Sequence, residues 1–255
     1  MTIDRRRFLT RLAAGAGSLA LGGCDRIAAT EPGQRVLQSV ETLTLRAQRG
    51  AMGDALAREY AAADISKVFK ANGSTDPEDE EYKTLAAANF ADWKLEIGGL
   101  VEQPANLSLA ELRALPVRSQ ITRHDCVEGW SCIGQWKGVP LRDVLAKAVL
   151  KPEARFIVFH CADSLEATLD GSGVYYESID LEDAFHPQTI LAYEMNGAPL
   201  PVAHGAPLRL RVERQLGYKQ AKYIMQIEAV ESFAEIGRGR GSYWADRGYE
   251  WYAGI

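Results

Sequence analysis

The sequence predicts a mixed α+β fold with strands at its centre. Two observations predict it. Runs of strand length, apolar or alternating, recur at residues 93–97, 119–122, 156–159, 175–179 and 189–193. Between them lie short helical runs at residues 80–89, 107–112, 141–150 and 181–185. The composition, 47% hydrophobic and 25% charged, is that of a globular protein. A net charge of −5 argues against nucleic acid as a partner, because a basic face is the expected footprint.

In chain order, residues 1–30 read as a targeting segment and are set apart from the fold. Arg5-Arg6-Arg7-Phe8-Leu9 precedes a glycine- and alanine-rich apolar run at residues 12–21, too short to span a bilayer. Leu21-Gly22-Gly23-Cys24 follows it. Residues 31–65 form a helical segment, with Val36, Leu37, Val40, Leu43 and Leu45 on one face from Arg35 to about Ala63, interrupted by Gly50 and Gly53. It reads as a surface helix without chemistry of its own. A short strand is expected to run from Asp64 into the turn dipeptide Asn72-Gly73. Ser108 and Glu111 are placed as the capping box of a short helix. The apolar run Phe156-Ile157-Val158-Phe159 reads as a buried strand that delivers His160, Cys161 and Asp163 at its end. Asn196-Gly197 reads as a hairpin turn. The last residues, 237–255, carry Tyr243, Trp244, Tyr249, Trp251 and Tyr252, and that aromatic density predicts a tail packed on the domain.

The chemistry concentrates at Arg123-His124-Asp125-Cys126-Val127-Glu128-Gly129-Trp130-Ser131, continued by Trp136-Lys137-Gly138-Val139-Pro140-Leu141. A cysteine at a strand end is a nucleophile, half a disulfide or a metal ligand, and its thiolate is the active species. The thiolate is a soft donor and suits a transition metal. Four cysteines are present, Cys24, Cys126, Cys132 and Cys161. If Cys24 is modified the remainder is odd, which metal ligation by Cys126 would explain. Two further stretches stand out: His204-Gly205-Ala206-Pro207-Leu208-Arg209, and Gln215 to Ile224 with Gly217, Gln220, Ala221 and Lys222. An arginine is the bidentate donor a terminal phosphate requires, and a glycine loop can form an anion nest.

These motifs resemble the sulfite-oxidase-fold molybdenum enzymes, and among them the periplasmic methionine-sulfoxide reductase catalytic subunits and their bacterial relatives. The resemblance covers residues 66 to the C-terminus. It implies a single molybdopterin-binding domain at 66–236, with no C-terminal dimerisation domain and hence a monomer. It implies a molybdenum–molybdopterin cofactor (Mo-MPT) in which Cys126 is the metal ligand. Asn72, Cys161, Asp163, His204, Arg209, Gln220, Ala221 and Lys222 stand where the family contacts the cofactor. Tyr249 matches an active-site tyrosine. The first residues resemble a twin-arginine signal with a lipobox, implying a periplasmic protein with a lipid anchor at Cys24.

The function implied is two-electron oxygen-atom transfer, with electrons exchanged with a separate partner such as a membrane haem subunit or a cytochrome. Sulfite-oxidising members carry arginines where this chain has Ala71 and Ser131. Glu128 adds a negative charge, so a small neutral substrate such as a sulfoxide fits better than sulfite. Alternative readings are a sulfite oxidase, a non-redox pterin-binding lipoprotein, and a thiol hydrolase pairing Cys126 with His124 or His204.

Overall fold

The computed structural model describes residues 30–255. The arginine motif and Cys24 lie outside them. Of these, residues 30–53 and residues Asp54–Ile255 fall in two contact units, each described by itself.

In the first unit, α1 (Glu31–Met52) starts at Thr30, whose Oγ1 accepts from Gly33 N–H at 3.2 Å. The helix runs through Gly50 and stops at Gly53, which takes a φ of +50° and donates its N–H to Arg49 O. The expected continuation to Ala63 does not form. Glycine supplies a left-handed φ at little steric cost, which ends the helix. The chain beyond it binds a strand instead, with Tyr60 N–H donating to Ile121 O at 2.9 Å.

The second unit contains two sheets. Its elements are α2 (Glu80–Ala87), β1 (Lys94–Gly99), β2 (Ala105–Ser108), α3 (Leu109–Arg113), β3 (Arg118–Asp125), β4 (Ser131–Pro140), α4 (Leu141–Ala148), β5 (Phe156–Ser164), β6 (Val174–Asp180), α5 (Leu181–Ala184), β7 (Ile190–Met195), β8 (Ala198–Pro199), β9 (Arg209–Arg211) and β10 (Ile224–Val230). One sheet has the order β2-β1-β10-β5-β6 and the other β3-β4-β7-β8, with β9 also on β7. β1 and β10 pair in parallel, so the first and last strands lie side by side. The other pairings are antiparallel.

The main core lies on the first sheet. Leu95, Ile97, Ile157, Val158, Phe159 and Ile227 are buried there with Leu141, Val144, Leu145 and Ala148 of α4. Burying each large aliphatic or aromatic side chain contributes about 1.5–3 kcal/mol. A smaller cluster on the second sheet joins Trp136, Ile190, Ala192, Met195 and Leu200, with Phe69 packed against it.

The strand expected at residues 64–73 is absent. A single 3-10 turn, Ala62–Asp64, leads into irregular chain. This chain follows β4 without a ladder, because Ile133 N–H donates to Ser66 Oγ rather than to a backbone carbonyl. Ser108 caps α3 through the reciprocal bonds with Glu111. The residues after 241 belong to the second unit, where Tyr243 is buried and Ile255 N–H donates to Arg214 O.

Candidate functional site

Cys126 is positioned by the β3–β4 hairpin. The last paired residues are Asp125 and Ser131, so Cys126 opens the connecting loop. Its N–H donates to Trp130 O and its carbonyl accepts from Gly129 N–H, both at 2.9 Å. Strand alternation turns Thr122 and His124 inward and leaves Arg123 outside, paired with Asp125 at 2.9 Å. The Cys126 thiol is free and partly buried. Burial pushes its pKa up, and the Glu128 carboxylate adds to that. Coordination to a metal would reverse this by deprotonating the thiol.

Beside Cys126 lies a partly open cavity, with about 710 Å³ of atom-free space when the solvent at its mouth is included. Asn72, Cys126, Asp163, Gln220, Lys222 and Tyr249 line it, brought together from five parts of the chain. Cys161, His204, Arg209 and Ala221 do not line it. Cys161 is buried in the main core, its Sγ 3.9 Å from Phe159 O. Ala221 is fully buried and its carbonyl accepts from Leu210 N–H. Tyr249 is 40% exposed, with its ring 5.3 Å from Tyr218 and 5.0 Å from Trp244, both of which also line the cavity.

Beneath this space is a buried cationic group. Arg209 donates from Nη1 to His204 O at 2.9 Å and lies over the Trp136 ring. Burial and the neighbouring Arg211 push its pKa down to about 9. Burial, with Arg209 and Lys222, lowers His204 to about 4, so its ring is neutral. Lys222 Nζ donates to the carbonyls of Ser74 and Ala203. Burial and Arg209 lower its pKa. Close packing of Gly205 on Lys222 fixes this arrangement, since a Cβ at Gly205 would stand 2.8 Å from Lys222 Cβ.

Part of the loop read as an anion nest is engaged within the chain. The N–H groups of Lys219 and Gln220 are used within a 3-10 turn, donating to Leu216 O and Gly217 O. Lys219 pairs with Glu177 in the interior.

Among the described residues, several buried polar atoms have no hydrogen-bond partner: Asn72 Oδ1, Asp163 Oδ1, His204 Nδ1, and Arg209 Nε and Nη2. An unsatisfied buried group costs about 1–3 kcal/mol, so a cluster of them marks a place for a ligand. The donors are cationic or neutral and the acceptors are amide or carboxylate. This set fits a polar heterocycle with an anionic tail, and a soft thiolate stands at its edge. Arg209 and Lys222 would hold the phosphate, Asn72 and Gln220 the ring system, and Cys126 the metal.

The fold and site thus define a protein that binds an anionic, metal-bearing organic cofactor. Residues 82–235 match the oxidoreductase molybdopterin-binding domain family, and the chain belongs to it; it is a molybdopterin-dependent oxidoreductase with a molybdenum–molybdopterin cofactor. It is 37% identical to a putative protein-methionine-sulfoxide reductase subunit YedZ1 of Azospira oryzae, over 98% of this chain and 87% of that one. It is 32% identical to the protein-methionine-sulfoxide reductase catalytic subunit MsrP of Xanthomonas axonopodis pv. citri, over 91% of this chain and 71% of that one. The crystal structure of the sulfane dehydrogenase SoxCD from Paracoccus pantotrophus matches 55% of this chain and 39% of its own at a TM-score of 0.49 and 24% identity.

Some contributors escaped the sequence reading. Ser74 joins Asp163 to Lys222 through its hydroxyl and carbonyl, and a serine after Asn-Gly carries no signal of that role. Tyr218 and Trp244 line the cavity from loops whose direction no periodicity reveals. The inward aim of His124 could have been found by extending the β3 alternation through Thr122.

Proposed function

We propose that this enzyme reduces a neutral sulfoxide, methionine sulfoxide in particular, with electrons from a separate redox partner. We further propose that it is exported by the twin-arginine route and held at the periplasmic face of the membrane through Cys24. The observation that carries the substrate reading is the charge at the cavity. Positions 71 and 131 are alanine and serine, and the charged lining residue beside Cys126 is Glu128. Lys70 is the cation nearest to it in that loop region, and it is engaged by Glu128 at 3.3 Å. A sulfite dianion entering here meets a carboxylate and no free arginine of the 71 and 131 type. The names of the relatives point to the same substrate class.

When bound, the molybdenum centre supplies two-electron oxygen-atom chemistry. Overall, a sulfoxide accepts two electrons and two protons and leaves as a thioether and water. Cys126 anchors the metal, and Arg209 and Lys222 hold the cofactor's anionic end. Tyr218, Trp244 and Tyr249 give the cavity an aromatic side that accepts a thioether, since sulfur packs favourably on aromatic rings. The Tyr249 hydroxyl is the residue we assign to hydrogen-bond the sulfoxide oxygen.

The test uses the exported protein from a host that makes the cofactor. Reduced-viologen oxidation with methionine sulfoxide is compared with ferricyanide reduction by sulfite, and molybdenum is measured on native and Cys126→Ser protein. Sulfoxide-dependent turnover that disappears in Cys126→Ser is the expected result. Sulfite oxidation without sulfoxide reduction would overturn the substrate reading.

A further inference from the structure

Two segments supply the outer side of the cavity. Leu165 lines it from the loop that joins β5 to β6, residues 165–173, and Trp244 and Tyr249 line it from the last part of the chain. Behind these segments lies a second, partly open cavity, with about 1030 Å³ of atom-free space when the solvent at its mouth is included. Asp170, Gly171 and Ser172 line it from the same loop, and Asp246 and Arg247 from the 3-10 turn Ala245–Arg247. Tyr175 lines both cavities. Loop and turn thus form a partition with open space on each face, and packing alone does not fix the distance between them.

Arg247 crosses that partition. Its Nε and Nη2 donate to the two Glu166 carboxylate oxygens at 3.3 and 3.0 Å, and Nη2 also donates to Ser172 O at 3.3 Å. Nη1 donates to Tyr243 O at 3.2 Å, and the guanidinium lies 3.6 Å from the Tyr243 ring centre. One side chain therefore holds the loop near both of its ends and the turn that lies between Trp244 and Tyr249. A planar guanidinium meets a carboxylate with two parallel bonds, a geometry that a point charge does not reproduce. The Arg247 side chain is 17% exposed. It holds the Glu166 carboxyl below the ordinary carboxylate range, with the Tyr243 hydroxyl next in effect. The loop's own bonds, Leu165 N–H to Gly173 O at 2.9 Å and Gly173 N–H to Thr168 Oγ1 at 2.8 Å, fix its shape and not its distance from the turn.

We propose that Arg247 is a positioning residue for the substrate: by clasping the loop to the turn through Glu166 and Ser172, it sets the gap between Leu165 and the rings of Trp244 and Tyr249, and that gap selects sulfoxides with slender alkyl arms. This rests on the sulfoxide reading given above. The arms beside the sulfur of a methyl sulfoxide are a methyl group and a methylene, which fit between an aliphatic side chain and an aromatic ring. A diaryl sulfoxide brings two rings to the same gap.

The test uses the loaded full-length chain as native protein, Arg247→Met, Glu166→Gln and the double variant, with reduced viologen as donor and rates taken per bound molybdenum. KM for methionine sulfoxide should rise by up to about tenfold in each single variant, the scale of a lost sulfur–aromatic contact. The rate constant kcat should change far less, because the lost binding is shared by ground state and transition state. KM for diphenyl sulfoxide should fall in the same variants. The double variant should match Arg247→Met, since both changes cut one link. Amide hydrogen exchange at residues 165–173 and 243–249 should quicken together in Glu166→Gln, which leaves the contacts of Arg247 with Tyr243 in place. Additive KM effects in the double variant would overturn the proposal, and so would a loss confined to kcat, which marks a structural role. If native protein reduces no sulfoxide, the substrate reading itself fails. Exchange that quickens in only one of the two segments sinks the clasp whatever the substrate, so the two failures are told apart.

Discussion

Asp163 and Lys222 are joined through a single residue, Ser74. The Asp163 carboxylate accepts from Ser74 Oγ at 2.8 Å, while Lys222 Nζ donates to the Ser74 carbonyl. Burial raises the Asp163 pKa above its ordinary 3.8. Burial and Arg209 lower that of Lys222 below its ordinary 10.5. The two shifts act on stability in opposite directions. As pH rises from 3.8 through the folded pKa of Asp163, the folded state binds the extra proton and stability falls. As pH rises from the folded pKa of Lys222 towards 10.5, the unfolded state binds the extra proton and stability recovers. The cofactor-free protein should therefore have a stability minimum near neutral pH. Urea midpoints across that range should show the alkaline recovery in native protein and its loss in Lys222→Met. Loaded protein should also lack it, because a phosphate beside Lys222 holds the ammonium charged.

Lys219 and Glu177 form a second buried pair, remote from solvent on both sides. Burial pushes Glu177 up to about 7 against the pull of Lys219. The lysine also lies 5.1 Å over the Trp251 ring, and Trp251 Nε1 donates to Ser178 Oγ at 2.8 Å. The pair thus sits under the final segment that carries Tyr249. Breaking such a pair from one side costs about 3–5 kcal/mol, whereas replacing both partners by apolar groups is often neutral. Lys219→Met should lower the denaturant midpoint accordingly, and the double variant Lys219→Met/Glu177→Leu should recover most of it. Without the pull of Lys219 burial holds Glu177 higher still, so the single-variant deficit should shrink as pH falls towards about 7 and level off below it, where Glu177 carries a proton in both folded proteins. Hydrogen exchange at residues 249–255 should quicken in the single variant.

Gly205 has a φ of +106° and packs on Lys222. An added Cβ meets both a left-handed backbone and a side-chain atom 2.8 Å away. Gly205→Ala should cost about 1–3 kcal/mol, the range for a strained backbone residue. Because Lys222 is what the methyl would displace, the variant should also retain less cofactor per folded chain. Thermal melting and bound molybdenum, measured on the same preparation, separate the two effects.

The sequence was most informative where one residue acts through local rules. Ser108 and Glu111 form their capping box because the bonds span three residues and depend on little else. The buried strand at β5 was visible in an unbroken apolar run, and its Ile157, Val158 and Phe159 are fully buried. Cys126 stood out because a thiol among glycine and charged residues is unusual, and the hairpin does place it at the cavity. The failures share a cause: tertiary partners replaced local preference. Residues 54–61 leave the helical pattern because β3 supplies backbone partners. Residues 64–73 make no ladder because the Ser66 hydroxyl takes a strand N–H. Lys219 and Lys222 read alike in sequence, yet one neutralises Glu177 and the other lines the cavity. Lys219 closes the 3-10 turn Gly217–Lys219 while Lys222 lies beyond it, and the two side chains point to different partners.

Glu128 provides the sharpest separation of substrate classes. It lines the cavity two residues from Cys126, accepting from Trp130 Nε1 at 2.8 Å and from Lys70 at 3.3 Å. These two donors hold its pKa below the ordinary carboxylate value, Trp130 contributing most, so it is charged at neutral pH. A charge this exposed acts on a dianion through water and is screened by salt within about 10 Å at 0.1 M. Glu128→Gln should therefore strengthen inhibition by sulfite or sulfate several-fold at low ionic strength, with the gain fading as salt is added. The KM for a neutral sulfoxide should be unchanged, because an uncharged substrate has no net interaction with the removed charge. A parallel shift in both would place Glu128 in the packing of the loop rather than in anion exclusion, and equal anion affinities in native and variant protein would remove the electrostatic basis for preferring a neutral substrate.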